Sequence, residues 1–325
     1  MAERPGLPLL VTGAAGFIGA RVVESCNRRG VPVVSVDHRH AFDDRPEHAG
    51  LDFGLRLDIE ELPAWLETGR ARGAVHMGAI SSTTELDAGL LRRMNVESSQ
   101  RLWEWARRTD TPLAYASSAA VYGDGALGFD DRDDLVPRLR PLNPYGESKR
   151  TFDLWALDEA RHGRHPRLWS GFRFFNVYGF GERHKGPQAS VVLHAFDQIR
   201  AKGSVRLFRS HRSGVPDGHQ SRDFVSVDDA VDVMWYALEK PLAPGIYNVG
   251  TGRARTFLDL ARATFAALSL PERIEWVDTP PGLRERYQYF TEARMERLRS
   301  AGWDRPFTPL EQGVAACVKR LQAGA

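Results

Sequence analysis

Three side chains in this sequence have the types and spacing to move a proton on and off an alcohol. Tyr145 and Lys149, in "NPYGESK", are four residues apart and share one face of a helix. A phenol titrates near 10 and is a weak base at neutral pH unless its anion is stabilised. An ammonium one turn away favours that anion. Ser118, near the strand end in "YASSAAVYG", is placed to hydrogen-bond the same substrate oxygen. Tyr-x-x-x-Lys alone is common by chance and usually only a surface pair, so its meaning depends on what the chain builds around it.

The first thing it builds is a phosphate loop. "VTGAAGFIG" sets Gly13, Gly16 and Gly19 between a strand-like run and an amphipathic helix. Glycines there permit a tight turn and close helix packing, and they bring the N–H groups around Phe17 and Ile18 to a pyrophosphate. Asp37 ends the next strand, which is the context that separates a dinucleotide fingerprint from a chance glycine pattern. Asp37 suits the ribose hydroxyls of NAD, whereas His38 and Arg39 suit the 2′-phosphate of NADP. NADP is the expectation, with NAD open. Asp58 is a partner for the adenine amino group or, equally, a helix cap. Met77, Gly78, Ala79 and Ser81, at the strand end "HMGAIS", Asn95 in "MNVESS" and Val177 are the further cofactor contacts expected. An oxidised nicotinamide would add a second positive charge favouring the Tyr145 phenolate.

These residues need a parallel sheet to bring them together. "LPLLVTG", "VPVVSVD", "ARGAVHMGA", "TPLAYASS" and "LWSGFRFFNVYG" read as strands, separated by helical stretches. The expected fold is α/β: a Rossmann-type doubly wound parallel sheet with a smaller, discontinuous C-terminal α/β substrate domain. Residues 1–179 with 223–250 form the first unit and 180–222 with 251–325 the second. The charged stretch "FDDRDDLVPRLRP" reads as a solvated loop. Lys plus Arg (44) nearly balance Asp plus Glu (42), so no overall field draws the chain to nucleic acid or a membrane. Cys26 and Cys317 match no metal spacing and read as reduced thiols. The N-terminus runs at once into a strand pattern and no apolar run reaches the roughly 18–20 residues that span a bilayer, so a cytoplasmic protein with no metal is expected.

"TGAAGFIG", "SSAAVYG" and "NPYGESK" resemble the extended short-chain dehydrogenase/reductase superfamily, home of nucleotide-sugar epimerases and dehydratases. Its dehydratases carry an acidic residue beside the catalytic Ser/Thr; here Ala119 and Ala120 follow Ser118, which disfavours that activity. Within the superfamily, "GAISSTTELD", "HKGPQASVVLH", "RDFVSVDDAVDV" and "RYQYFTEARMERLRSAGWDRPF" resemble the ADP-glyceromanno-heptose 6-epimerases. That resemblance covers essentially the whole chain. It implies interconversion of the two C6 epimers of ADP-heptose, a lipopolysaccharide inner-core precursor, by oxidation and reduction at C6. It also implies a second acid/base, Lys185 of the "HKG" loop, for the epimer whose hydroxyl Tyr145 cannot reach, and a homo-oligomer, with a pentamer suggested. Composition alone would make Lys185 a solvated or phosphate-contacting loop lysine. Catalysis requires desolvation or positive neighbours, and Lys149, the nicotinamide and Arg183 are the candidates.

The resemblance further places Asn176, Ser81 and Ser118 on the sugar, and His194 and Arg222 on the nucleotide or its phosphates. Phe208, Arg209, Ser210 and His211 line the adenosine end and Tyr287 closes the pocket. From the residues alone, Arg222 is as well read as an ion pair with Asp223, and His194 as a core histidine of "SVVLHAF". Two departures stand out: Pro187 replaces a small hydroxyl residue that touches substrate, and the loop before Arg222 is longer than usual and is a candidate lid. The rival readings are a UDP-hexose 4-epimerase and a non-catalytic cofactor-binding sensor. The retention of Ser118, Tyr145 and Lys149 speaks against the sensor.

Overall fold

The computed structural model describes residues 6–240, 242–284 and 288–324. Its strands, in chain order, are Leu9–Thr12 (β1), Val33–Val36 (β2), Leu55–Leu57 (β3), Gly73–His76 (β4), Leu113–Ser118 (β5) and Trp169–Phe174 (β6). They continue with Asn176–Tyr178 (β7), Val205–Phe208 (β8), Ser221–Ser226 (β9), Gly245–Val249 (β10), Ala254–Thr256 (β11) and Ile274–Val277 (β12). Seven of them form a parallel sheet in the order β10-β6-β5-β4-β1-β2-β3. Strand order reverses between β1 and β4, which pair Thr12 with His76 at their carboxyl ends. A doubly wound sheet opens its ligand crevice at that point.

Alternation along β1 shows why both faces are covered. Leu9 and Val11 join an apolar cluster with Val22, Val23 and Cys26 of the helix Phe17–Arg28 and Val231 and Met234 of the helix Val227–Glu239. Leu10 belongs to the opposite cluster, with Leu102 and Trp105 of the helix Ser98–Arg108 and Phe152 of the helix Pro144–Arg161. The fold is therefore the Rossmann-type doubly wound α/β architecture expected. A third cluster lies apart, where the helices Val191–Lys202, Phe257–Ala267 and Leu310–Ala323 pack beside β8 and β12.

The expected strand "LWSGFRFFNVYG" is two strands in two sheets. β6 stays in the large sheet, whereas β7 pairs with β9 beside β11 in a three-stranded sheet. "FDDRDDLVPRLRP" is not the solvated loop expected. Asp131 is buried and accepts the Asn248 N–H (2.8 Å), Asp133 pairs with Arg297 (2.6 Å), and Leu135, Val136 and Leu139 are buried. Its charges are matched by partners far along the chain, which composition does not reveal. Cys26 and Cys317 are buried free thiols. Among the described residues no helix is long and apolar enough to cross a membrane.

Candidate active site

The glycine loop is shaped by close approach. Gly13 has φ +65°, and a Cβ on it would lie 2.7 Å from the Gly78 nitrogen, so only glycine lets β1 leave the sheet over the end of β4. A Cβ on Gly19 would run into the Gly13 carbonyl oxygen. The helix that follows starts at Phe17 with Gly16 as its N-cap and no side-chain cap, so its first-turn N–H groups are left for an anion. This cradle fits a dinucleotide pyrophosphate. Asp37 accepts the N–H groups of Ala15 (2.9 Å) and His38 (2.8 Å), holding the loop against β2. Arg45, which the sequence reading passes over, donates to the Ala15 carbonyl.

Arg39 is exposed and directs its guanidinium at Glu61 (2.6 Å). Asp58 accepts the Glu60 N–H (3.2 Å) through one oxygen as the cap of the turn Ile59–Glu61, and the Arg39 N–H (3.0 Å) through the other. Asn95 differs from expectation. It is fully buried, its Oδ1 accepts the Ile80 N–H (2.8 Å), and its amide donates to the Ile80 carbonyl and the Ser148 hydroxyl (both 2.9 Å). Those bonds use both amide hydrogens, so Asn95 fastens the loop after β4 to the helix Pro144–Arg161 and has no donor left for a cofactor. It sits in a π-helical turn, Arg92–Glu97. Met77, Gly78 and Ala79 lie half-buried at the β4 end, Ser81 is exposed beyond them, and Val177 lies half-buried in β7.

His76, missed from sequence, lies beneath. Ser99 donates to the Asn95 carbonyl (2.7 Å), so His76 Nε2–H donates to Ser99 (2.8 Å), and Nδ1 accepts from Thr12 Oγ1 (2.6 Å). Burial and the nearby Lys149 charge pull this imidazole down to about 3. A neutral histidine thus links the ends of β1 and β4 to Asn95. Its signal was a histidine inside an otherwise apolar strand, "AVHMG".

The three catalytic candidates meet where β5 ends. Asn143 caps the helix Pro144–Arg161 through the Gly146 N–H (2.8 Å), and Pro144 starts it. Gly146 brings the helix onto the turn after Ser118, since a Cβ there would lie 2.8 Å from the Ala120 carbonyl oxygen. Ser118 accepts the Ala120 N–H (3.1 Å), and its hydroxyl neighbours the Tyr145 phenol. Burial pushes that phenol up and the Ser118 hydroxyl opposes it. The lowering expected from sequence is absent from the protein's own groups. Lys149 is buried and donates to the Ala116 carbonyl (2.9 Å). Burial pulls it down to about 8 against the charge of Asp153. Asp153 in turn pairs with Arg173 (3.0 Å), both side chains wholly buried, and accepts the Ser117 hydroxyl (2.9 Å).

The Lys185 loop is anchored on several sides. Lys185 Nζ lies 5.2 Å from the Phe17 ring centroid, above the start of the glycine-loop helix, and 3.6 Å from Glu182 Oε2. Its nearest charge is therefore negative. Arg183, expected to lend positive charge, is taken up by Asp197 (3.0 Å). His184 faces Glu47 (3.4 Å), and Gln188 donates to Ser82 (2.7 Å) of "SSTTE". Pro187 accepts from His194 Nε2 (3.4 Å), so His194 is half-exposed and tied to this loop, not a core residue.

The remaining substrate candidates lie on β7, β8 and β9 and the loops that follow them. Asn176 is exposed at the start of β7. Arg222 is buried, donates to the carbonyls of Ser221 (2.9 Å) and Gln288, and lies over the Phe257 ring. Asp223 points its carboxylate to Thr251, Gly252 and Ala293. Gln288 also donates to the Gly123 carbonyl, tying this region to the turn after Ser118. Phe208 ends β8, and Arg209 lies 3.6 Å from both Asp217 and Asp278. The Ser210 N–H donates to Asp217 (2.7 Å) and the His211 N–H to the Tyr289 hydroxyl (2.9 Å). The long loop before Arg222 is thus fastened at its start. Tyr287 lies outside the described residues.

A parallel sheet with a glycine loop at its switch point and a Ser–Tyr–Lys set beside it defines a nicotinamide-dependent short-chain dehydrogenase/reductase site. The chain belongs to the NAD dependent epimerase/dehydratase family, whose pattern matches residues 9–250. It is 43% identical over 337 aligned residues to the ADP-L-glycero-D-manno-heptose-6-epimerase of Nitratidesulfovibrio vulgaris, covering 97% of this chain and 98% of that one. It is 39% identical over 330 residues to the enzyme of the same name from Fusobacterium nucleatum, covering 97% and 98%. The crystal structure of the Helicobacter pylori ADP-L-glycero-D-manno-heptose-6-epimerase superposes with a TM-score of 0.79 at 26% identity, covering 98% and 96%. The resemblance seen in the sequence motifs is borne out.

Proposed function

We propose that this chain is a nucleotide-sugar epimerase that interconverts ADP-D-glycero- and ADP-L-glycero-D-manno-heptose. The glycine-loop cradle of Gly13, Gly16 and Gly19 would hold a nicotinamide dinucleotide, which would supply reversible hydride transfer at C6 of the heptose. Tyr145 removes the hydroxyl proton of one epimer, with Ser118 hydrogen-bonding the same oxygen and Lys149 holding positive charge nearby. Lys185 serves the other epimer, and Asn176, Arg222 and the wall from Phe208 to His211 orient the nucleotide sugar. The observation that carries this reading is the position of Lys185. It comes from a different stretch of chain than Tyr145, yet its ammonium lies over the first residue of the cofactor-loop helix. Two acid/bases on separate supports are what epimerisation at an exocyclic carbon needs, because one group cannot stay within about 3 Å of both hydroxyl positions.

The finer cofactor choice we infer to be NADP, with NAD accepted. Asp37 already accepts two main-chain N–H groups, and the Arg39–Glu61 pair is exposed on both sides. An exposed pair of this kind is worth at most about 1 kcal/mol, so a 2′-phosphate displaces it readily. We further assign residues 1–179 with 223–250 to the cofactor unit and the rest to the substrate unit, in a cytoplasmic homo-oligomer.

The test is NMR of epimer exchange in purified protein, with mass spectrometry of the cofactor it carries. Wild type is expected to equilibrate a single ADP-heptose epimer, and Tyr145→Phe and Lys185→Ala to lose about 10²–10⁴ in rate. Turnover of a UDP-hexose but not of ADP-heptose overturns the reading. Undiminished exchange in Lys185→Ala overturns the two-base part of it.

A further inference from the structure

We propose that Glu182 is a positioning residue for Lys185: it fixes the side chain over the glycine-loop helix and supplies the counter-charge against which Lys185 gains and loses its proton. The proposal rests on Lys185 being the second acid/base. Glu182 has only 1% of its side chain exposed. Its Oε2 accepts the Ser190 N–H (2.7 Å) and its Oε1 the Ser190 hydroxyl. Its main-chain carbonyl accepts the Lys185 N–H (3.0 Å). A buried carboxylate is costly unless it is hydrogen-bonded and paired. Here Ser190 gives each carboxylate oxygen one donor, and the one cation within 4.0 Å among the described residues is Lys185, at 3.6 Å.

The surrounding charges are already matched. Arg183 is held by Asp197 (3.0 Å), and His184 faces Glu47 (3.4 Å). On the glycine-loop helix Arg21 pairs with Glu24 (2.8 Å), which also receives Arg320 of the C-terminal helix (2.8 Å). Asp228 of the helix Val227–Glu239 acts on Arg21. The Cys317 thiol, pushed up to about 12 mainly by burial, is neutral. Phe17 presents an apolar ring on the other side of the ammonium. Glu182 is therefore the group whose charge Lys185 meets directly. Its clasp on Ser190, the N-cap of the helix Val191–Lys202, transmits that helix's rigidity to the loop.

The experiment is the pH dependence of epimer exchange in the holoenzyme, from neutral to alkaline pH. Lys185→Ala first identifies the limb of the profile that belongs to Lys185. Glu182→Gln removes the charge that Lys185 faces at 3.6 Å and is expected to move that limb to lower pH. Ser190→Ala loosens the same clasp but keeps the charge; it should slow exchange and leave the limb in place. An unmoved limb in Glu182→Gln, or an equal displacement in Ser190→Ala, overturns the role of Glu182. A limb that persists in Lys185→Ala overturns the underlying assignment of Lys185 instead. If Glu182→Gln does not fold, Glu182→Asp withdraws the charge by one methylene and should move the limb the same way, less far; no movement there counts against the proposal.

Discussion

Lys149→Met is expected to make the protein more stable and inactive. The wild-type ammonium is buried, and its pKa falls from the ordinary 10.5 to about 8 in the folded chain. At about 1.4 kcal/mol per pH unit, keeping that ammonium charged at neutral pH costs the fold about 3 kcal/mol. Methionine fills similar space without the charge, but it leaves the Ala116 carbonyl without its 2.9 Å donor. One lost buried partner costs about 1–2 kcal/mol, so the net gain is about 1–2 kcal/mol, a few degrees in Tm for a chain of this size. The pH dependence gives the sharper signature. As pH falls from 10.5 to 8 the unfolded chain takes up this proton before the folded chain does, so wild type loses stability across that window and stays at the lower level beneath it. The mutant has no such group. Its advantage should be full below pH 8 and shrink steadily between 8 and 10.5. Thermal melts of both proteins stripped of cofactor, over that pH range, measure the difference directly. A variant less stable than wild type at neutral pH, or an advantage that grows with pH, would refute the reasoning.

Two further perturbations separate cradle from core. Gly19→Ala puts a methyl against the Gly13 carbonyl and should abolish cofactor retention, read by mass spectrometry, while far-ultraviolet circular dichroism stays that of the folded chain. Asp153→Asn leaves Arg173 charged and wholly buried without its carboxylate, which should cost about 3–5 kcal/mol in denaturant unfolding and also deprive Lys149 of a supporting charge.

Local pattern made much of this molecule legible. Five strands of the large sheet follow from β-branched runs and helical spacing, and Ser118, Tyr145 and Lys149 follow from a four-residue spacing plus one strand end. The pairings that set their properties were not legible, because each joins residues far apart in the chain. Nothing near "HKG" says that His184 meets Glu47 or that Gln188 meets Ser82. Nothing in "MNVESS" says that Asn95 will be consumed by Ile80 and Ser148. Buried polar residues did leave a trace, as Arg173 in "GFRFF" and His76 in "AVHMG", where a polar side chain interrupts a strand buried on both faces. Such residues must find partners inside, so they mark a network even when its members cannot be named.

That network fixes in place two groups whose charged forms burial disfavours. Burial raises the Tyr145 phenol and lowers the Lys149 ammonium. Both sit on a helix fixed at its start by Asn143 and Gly146 and along its length by Ser148–Asn95 and Asp153–Arg173. Lys185 lacks such a helix. Its support is a loop clasped by Glu182 to Ser190 and leaning on Glu47, Ser82 and Asp197 from three other elements. A rigid wall and a multiply tethered one suit the proposed reaction, in which a ketone would turn between two fixed proton-transfer groups.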